Sequence, residues 1–183
     1  MSIRILEDGM KALVVYESMY GNTAVIGEEI AASLRSQGIE VEAGRTPEID
    51  PSRAGEVDLL VVGGPTHVHG MSSSRSRATA VDDKKNTYDS PTLAPGLRDW
   101  LEEIAPGEGR LAAAFDTRID KPAFLTGSAA KGIAKRLERR GYHLALGPEC
   151  FLVTTSNELL ETETHHASVW GADLAAAASA LRG

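Results

Sequence analysis

A chain of 183 residues suits one domain, spanning 1–183, and is long enough to bury an apolar core without disulfides or structural metals. Hydrophobic residues make up 42% and charged residues 25%, the proportions of a soluble globular protein. The formal net charge of −7 argues against nucleic acid, whose phosphates call for Lys and Arg, and suits docking to a basic partner. The single cysteine, Cys150, can form no intrachain disulfide and fits a reducing compartment. No run approaches the roughly 18 apolar residues of a membrane span, and the first ten residues lack a signal-peptide apolar region, so a cytoplasmic protein is expected.

In chain order, Ala12 to Tyr16 is an apolar, β-branched run of the kind buried on both faces of a sheet. After a polar turn, residues 23–36 place Ala24, Ile26, Gly27, Ile30, Ala31 and Leu34 at helical spacing and stop before Gly38. Residues 39–43 alternate as an edge strand does. Pro47 and Pro51 mark a loop or one short helical turn. Val57 to Val62 predicts a third strand, closed by Gly63-Gly64-Pro65. A polar stretch, 66–94, shows little periodicity, and its part from Ser72 to Ser90 is too long for an ordinary connection. A helix is expected over 95–104, a fourth strand over 111–115, a basic amphipathic helix over 127–140, a fifth strand over 150–153 and an alanine-rich helix over 164–181. Alternating strands and helices specify an α/β fold, a parallel sheet covered by helices on both faces with right-handed crossovers.

Ser18-Met19-Tyr20-Gly21-Asn22-Thr23 separates the first strand from the first helix. It contains no Lys or Arg, but offers four side-chain donors around a glycine. Amides at a helix start carry partial positive charge and, with hydroxyls, hold a phosphate dianion without a cation. The competing reading is that Ser18 and Asn22 only cap the helix. Neither the lysine-containing P-loop nor the G-x-G-x-x-G dinucleotide fingerprint is present.

The loop, following an apolar strand, resembles the phosphate loop of the flavodoxin family, [ST]-x-[ST]-G-x-T, with Tyr20 at the third position. The resemblance extends over residues 11–181. It implies a three-layer, doubly wound, five-stranded parallel sheet of order 2-1-3-4-5, with FMN bound where the segments leaving strands one, three and four meet: 18–23, 63–71 and 116–120. Beyond Ser18 to Thr23, it implies flavin contacts from Pro65, Thr66, His67, His69 and Gly70, with a histidine ring where the family often has an aromatic. From the segment after strand four it implies Asp116, Thr117 and Arg118. Simpler readings stand beside these: solvated histidines or a metal pair for His67 and His69, and a strand-closing Asx or Ser/Thr turn for Asp116-Thr117.

The resemblance implies a low-potential electron carrier in which flavin supplies the redox chemistry and the acidic surroundings disfavour its anionic reduced form. Its partner is then a redox protein or a small-molecule reductant, with no catalytic nucleophile or base required. An FMN-dependent NAD(P)H oxidoreductase, using the long polar segment as a substrate site, is the alternative, and a flavin-free binding module is a third. Arg75 and Arg77 read either as a phosphate contact or as a solvated loop. Cys150, inside an apolar strand pattern, reads as packing.

Overall fold

The computed structural model describes residues 9–67, 70–73 and 96–182. The elements run β1 (Lys11–Tyr16), α1 (Asn22–Ser36), β2 (Glu40–Arg45), a 3-10 turn (Pro51–Glu56), β3 (Leu59–His67) and β4 (Gly70–Met71). They continue with α2 (Leu97–Glu103), β5 (Leu111–Ile119), α3 (Ala123–Thr126), α4 (Ala129–Arg139), β6 (His143–Leu144), β7 (Glu149–Val153) and α5 (Glu163–Arg182). The 3-10 turn settles the Pro47–Pro51 ambiguity: Asp50 caps it, its Oδ1 accepting from the Ser52 amide at 2.8 Å.

The sheet order is β2-β1-β3-β5-β6, with β7 also on β5 and every one of these pairs parallel. This is the expected doubly wound α/β architecture, with two departures. The edge position is shared by two short strands instead of one. From Leu144 to Glu149 the chain advances five residues while β5 advances only three, from Ala112 to Phe115, so two residues are looped out. Gly147-Pro148 falls at this break, and proline has no amide to give a ladder. The second departure is an antiparallel hairpin at the end of β3, where Thr66 faces Met71 and His67 faces Gly70. The polar stretch expected from residue 66 therefore begins as strand, and residues 74–95, including Arg75 and Arg77, lie outside the described residues.

Alternation along the strands divides the core. Val14, Tyr16, Val61, Ala113 and Phe115 face α1 and α5, joining Ile26, Ile30, Leu34, Trp170 and Leu174. Leu13, Val15, Leu60, Val62, Ala112 and Ala114 face α2 and α4, joining Trp100, Leu101, Ile133 and Leu137. Each fully buried Leu, Ile or Phe contributes about 1.5–3 kcal/mol relative to exposure, so both layers are clamped to the sheet. Close approach is built in at Gly63, where a Cβ would stand 2.0 Å from the Phe115 ring. Among the described residues, no helix is long and apolar enough to cross a membrane.

β3 and β5 run beyond the apolar segments that predicted them, to His67 and Ile119. Their extensions pair with each other, Gly64 with Asp116 and Pro65 with Thr117. Two of the three segments that read as loops are thus strand ends. Polar side chains hid them, and ladder hydrogen bonds hold them rigid.

Candidate functional site

The three segments meet, as expected, at the carboxyl ends of β1, β3 and β5. They enclose a cleft of about 230 Å³. Its side at the start of α1 is formed by Met19, Tyr20, Asn22 and Thr23, and its other walls by Pro65, Thr66, His67, Thr117 and Arg118. Ile119, Val153 and Asn157 complete the lining.

Gly21 sets the start of α1. It is the N-cap residue with φ 89°, a left-handed conformation that glycine adopts without strain. Ser18 is fully buried, and its Oγ accepts from the Ala24 amide at 3.2 Å. Ser18 therefore follows the capping reading; it is absent from the cleft wall because its oxygen serves the helix's own first turn. Met19 is also wholly enclosed. Thr23 packs its hydroxyl against that of Thr117, Oγ1 to Oγ1 at 2.7 Å, so the first and third segments are joined by a buried hydrogen bond.

Asn22 reaches a fourth segment that the sequence reading did not include. Its Nδ2 donates to the Asn157 carbonyl at 2.8 Å. Asn157 has φ 58° in a tight turn in which the Asn157 amide donates to the Thr154 carbonyl at 3.0 Å. The signal was available, since Thr154-Thr-Ser-Asn157 is turn-forming composition after a strand.

His67 lines the cleft. Its Nε2 is buried with no partner among the described residues, and burial pushes the imidazole below its ordinary range, with the Glu17 carboxylate opposing. The ring is thus neutral near pH 7. Gly70 sits opposite His67 in the hairpin and is not part of the lining. His69 lies outside the described residues. Among the described residues no cluster of three His, Cys, Asp or Glu side chains is arranged to hold a metal.

Asp116 is not part of the lining. It is fully buried, and its Oδ2 accepts from the Thr66 hydroxyl at 3.0 Å, the Ser128 hydroxyl at 2.8 Å and the Ala130 amide at 2.9 Å. The expected flavin contact from Asp116 is therefore replaced by an anchor for α4. Thr117, Arg118 and Ile119, which follow it in β5, line the cleft instead. Arg118 does line the cleft; its Nη1 donates to the Lys121 carbonyl at 2.7 Å, and its Nε is buried without a partner among the described residues.

Glu17 is the residue whose weight the sequence reading missed. It is fully buried directly after β1, receives the Ser72 hydroxyl on Oε1, and accepts from the Leu97 amide on Oε2 at 2.7 Å. One carboxylate thus joins the residues on either side of 74–95. Its signal was a lone charge ending an apolar strand.

The flavodoxin family model matches residues 14–99, a span that includes the loop at the start of α1, Glu17 and the end of β3. The fold is flavodoxin-like. Among solved structures, an archaeal flavodoxin is 20% identical with a TM-score of 0.65, covering 93% of this chain and 99% of its own. Oxidised flavodoxin 2 from Bacillus cereus is 21% identical with a TM-score of 0.63, covering 91% and 98%. Rubredoxin oxygen:oxidoreductase from Desulfovibrio gigas is 17% identical with a TM-score of 0.60, and the match covers 93% of this chain but 36% of that one. At these identities the likeness establishes the fold. No curated protein matches the chain.

The flavodoxin-like cleft has a distinct electrostatic character. Among the described residues no carboxylate lines it, although the chain carries a net charge of −7, and Arg118 is the only formal cation of that lining. The rest is hydroxyls, amides, the His67 ring and the apolar side chains of Met19, Pro65, Ile119 and Val153. That donor set fits a phosphate monoester. Cys150 stands behind the wall, half-buried, its thiol 3.8 Å from Ser128 Oγ and pushed up by burial and by Asp116, in keeping with packing.

Proposed function

We propose that this chain binds FMN in the cleft, phosphate at the start of α1, and serves as an electron-transfer protein. The observation that carries the reading is the cleft's lining: among the described residues it combines the hydroxyls of Tyr20, Thr23, Thr66 and Thr117, the Asn22 side chain and Arg118 with the apolar Met19, Pro65, Ile119 and Val153, and includes no acidic side chain, in a chain of net charge −7. When bound, FMN supplies one- and two-electron redox chemistry. The protein's own residues do the holding. The first-turn amides of α1 and a hydroxyl of the Thr23–Thr117 pair meet the phosphate, and Arg118 adds positive charge. Neutral His67 offers its ring to the flavin. The acidic exterior disfavours an added negative charge on the reduced cofactor and suits a basic redox partner in a reducing, cytoplasmic setting.

Titration of the apo-protein with FMN, followed by quenching of flavin fluorescence, tests the reading. Saturable binding at micromolar concentration is expected. Unchanged fluorescence at high micromolar protein refutes it. Anaerobic mixing of the loaded protein with NADH or NADPH separates carrier from oxidoreductase: persistent yellow colour is expected, and rapid bleaching assigns a self-contained oxidoreductase.

A further inference from the structure

Thr66 lines the cleft, and the hydrogen-bond sense of its hydroxyl is already determined by the protein. A threonine hydroxyl has one proton and two lone pairs. The proton goes to Asp116 Oδ2 at 3.0 Å. One lone pair is taken by the Ala129 amide at 2.9 Å. Ser128, the N-cap of α4, repeats the pattern: its hydroxyl donates to the same Oδ2 at 2.8 Å and accepts from the Lys131 amide at 3.3 Å. With the Ala130 amide at 2.9 Å, three donors converge on one carboxylate oxygen that is fully buried. Oδ2 must act as an acceptor toward all three, so Thr66 cannot turn its proton to the cleft without breaking this arrangement.

We infer that Asp116 is a positioning residue that holds Thr66 as an acceptor-only group, so that this wall of the cleft selects an O–H or N–H donor on the ligand. The opposite wall has the complementary sense. Thr23 and Thr117 share one proton between their hydroxyls, leaving the second for the ligand. The cleft therefore presents a donor beside the start of α1 and an acceptor at the end of β3. This deepens the FMN reading and rests on it for the ligand: the phosphate is acceptor-only, while the ribityl chain and the ring imide carry the O–H and N–H groups that Thr66 requires. Asp116, read from the sequence as a cofactor contact, acts instead through its neighbour.

The test has one arm without ligand and one with it. In the apo-protein, NMR is expected to show the Thr66 hydroxyl proton in slow exchange and close to the Ala130 amide, with the signal retained in Asp116→Asn, which keeps an acceptor oxygen, and lost in Asp116→Ala. A Thr66 hydroxyl in fast exchange in the native protein overturns the positioning claim whatever FMN does. In FMN titrations, Thr66→Ser and Asp116→Asn are expected to bind within about threefold of the native protein. Thr66→Val and Asp116→Ala are expected to bind about tenfold more weakly, the loss of one hydrogen bond. Thr66→Val keeps the arm decisive if Asp116→Ala does not fold, and native affinity in Thr66→Val overturns the selection claim. Lumiflavin, which has the ring without ribityl hydroxyls or phosphate, assigns the donor: a penalty from Thr66→Val places it on the ring, and a penalty seen with FMN alone places it on the ribityl chain, either supporting the inference. A native protein that binds no FMN but protects its Thr66 hydroxyl refutes the cofactor reading and leaves the positioning claim standing.

Discussion

Replacing the Thr23–Thr117 hydroxyl pair, one side at a time and then together, tests how the cleft is held. The two oxygens lie 2.7 Å apart, and the residues are 2% and 5% exposed. Valine keeps the shape of threonine, so each single substitution removes one hydroxyl and leaves the other buried without its partner. That costs about 1–3 kcal/mol. The double substitution leaves two methyl groups in contact and no orphaned hydroxyl, so its cost is expected to fall short of the sum of the singles by about 1 kcal/mol. Urea unfolding of the four apo-proteins, followed by circular dichroism, measures this directly. In thermal unfolding each kcal/mol corresponds to roughly 2–4 °C for a chain of this size. Additivity within about 0.3 kcal/mol refutes the coupled pair. The FMN titration adds a second criterion. The pair leaves one hydroxyl proton for the ligand, so the double variant is expected to bind FMN more weakly than the native protein despite its recovered stability.

Gly21→Val forces a β-branched residue to φ 89° at the start of α1; a loss of about 1–3 kcal/mol in stability and weaker FMN binding are expected, with the urea midpoint and the fluorescence titration as measures. Glu17→Ala removes the acceptor for both the Leu97 amide and the Ser72 hydroxyl and is expected to cost about 2–4 kcal/mol, whereas Glu17→Gln, which keeps one oxygen for the amide, costs less than half as much; equal losses in urea unfolding refute this accounting. His67 is held below its ordinary pKa by burial, so the unfolded chain binds a proton there before the folded one does. Its contribution to stability is therefore full above the usual imidazole range and declines as pH falls through it. His67→Gln is expected to show a shallower loss of stability between about pH 7 and 5.5 than the native protein, measured by urea midpoints; parallel profiles refute the assignment.

Much of the fold was legible in local pattern. The apolar run at residues 12–16 and the part of the run 57–62 from Leu59 onward are buried on both faces, as their composition demands, and the spacing of Ile26, Ile30 and Leu34 placed α1 against the sheet. The extensions of β3 and β5 were not legible. Residues 63–67 and 116–119 carry glycine, proline and polar side chains, and they are strands because each provides the other's hydrogen-bond partners. The split edge was equally hidden, since Gly147-Pro148 reads as a turn in any setting.

The cleft divides in the same way. Sequence alone determined that a glycine-centred loop follows a buried strand and opens a helix, because only Gly21 among its neighbours accepts a left-handed backbone without strain, and it determined that no phosphate-binding lysine accompanies that loop. Tertiary structure decided which of the loop's donors face outward. Ser18 turns in to cap the helix, Thr23 binds a threonine 94 residues away, and Asn22 reaches a turn 135 residues away. It also decided that Asp116 is engaged by Thr66, Ser128 and the Ala130 amide at the start of α4 while Thr117 lines the cleft, because those partners come from segments far apart in the chain. A motif specifies the backbone that meets an anion; the direction of each hydroxyl depends on the neighbours that the fold supplies.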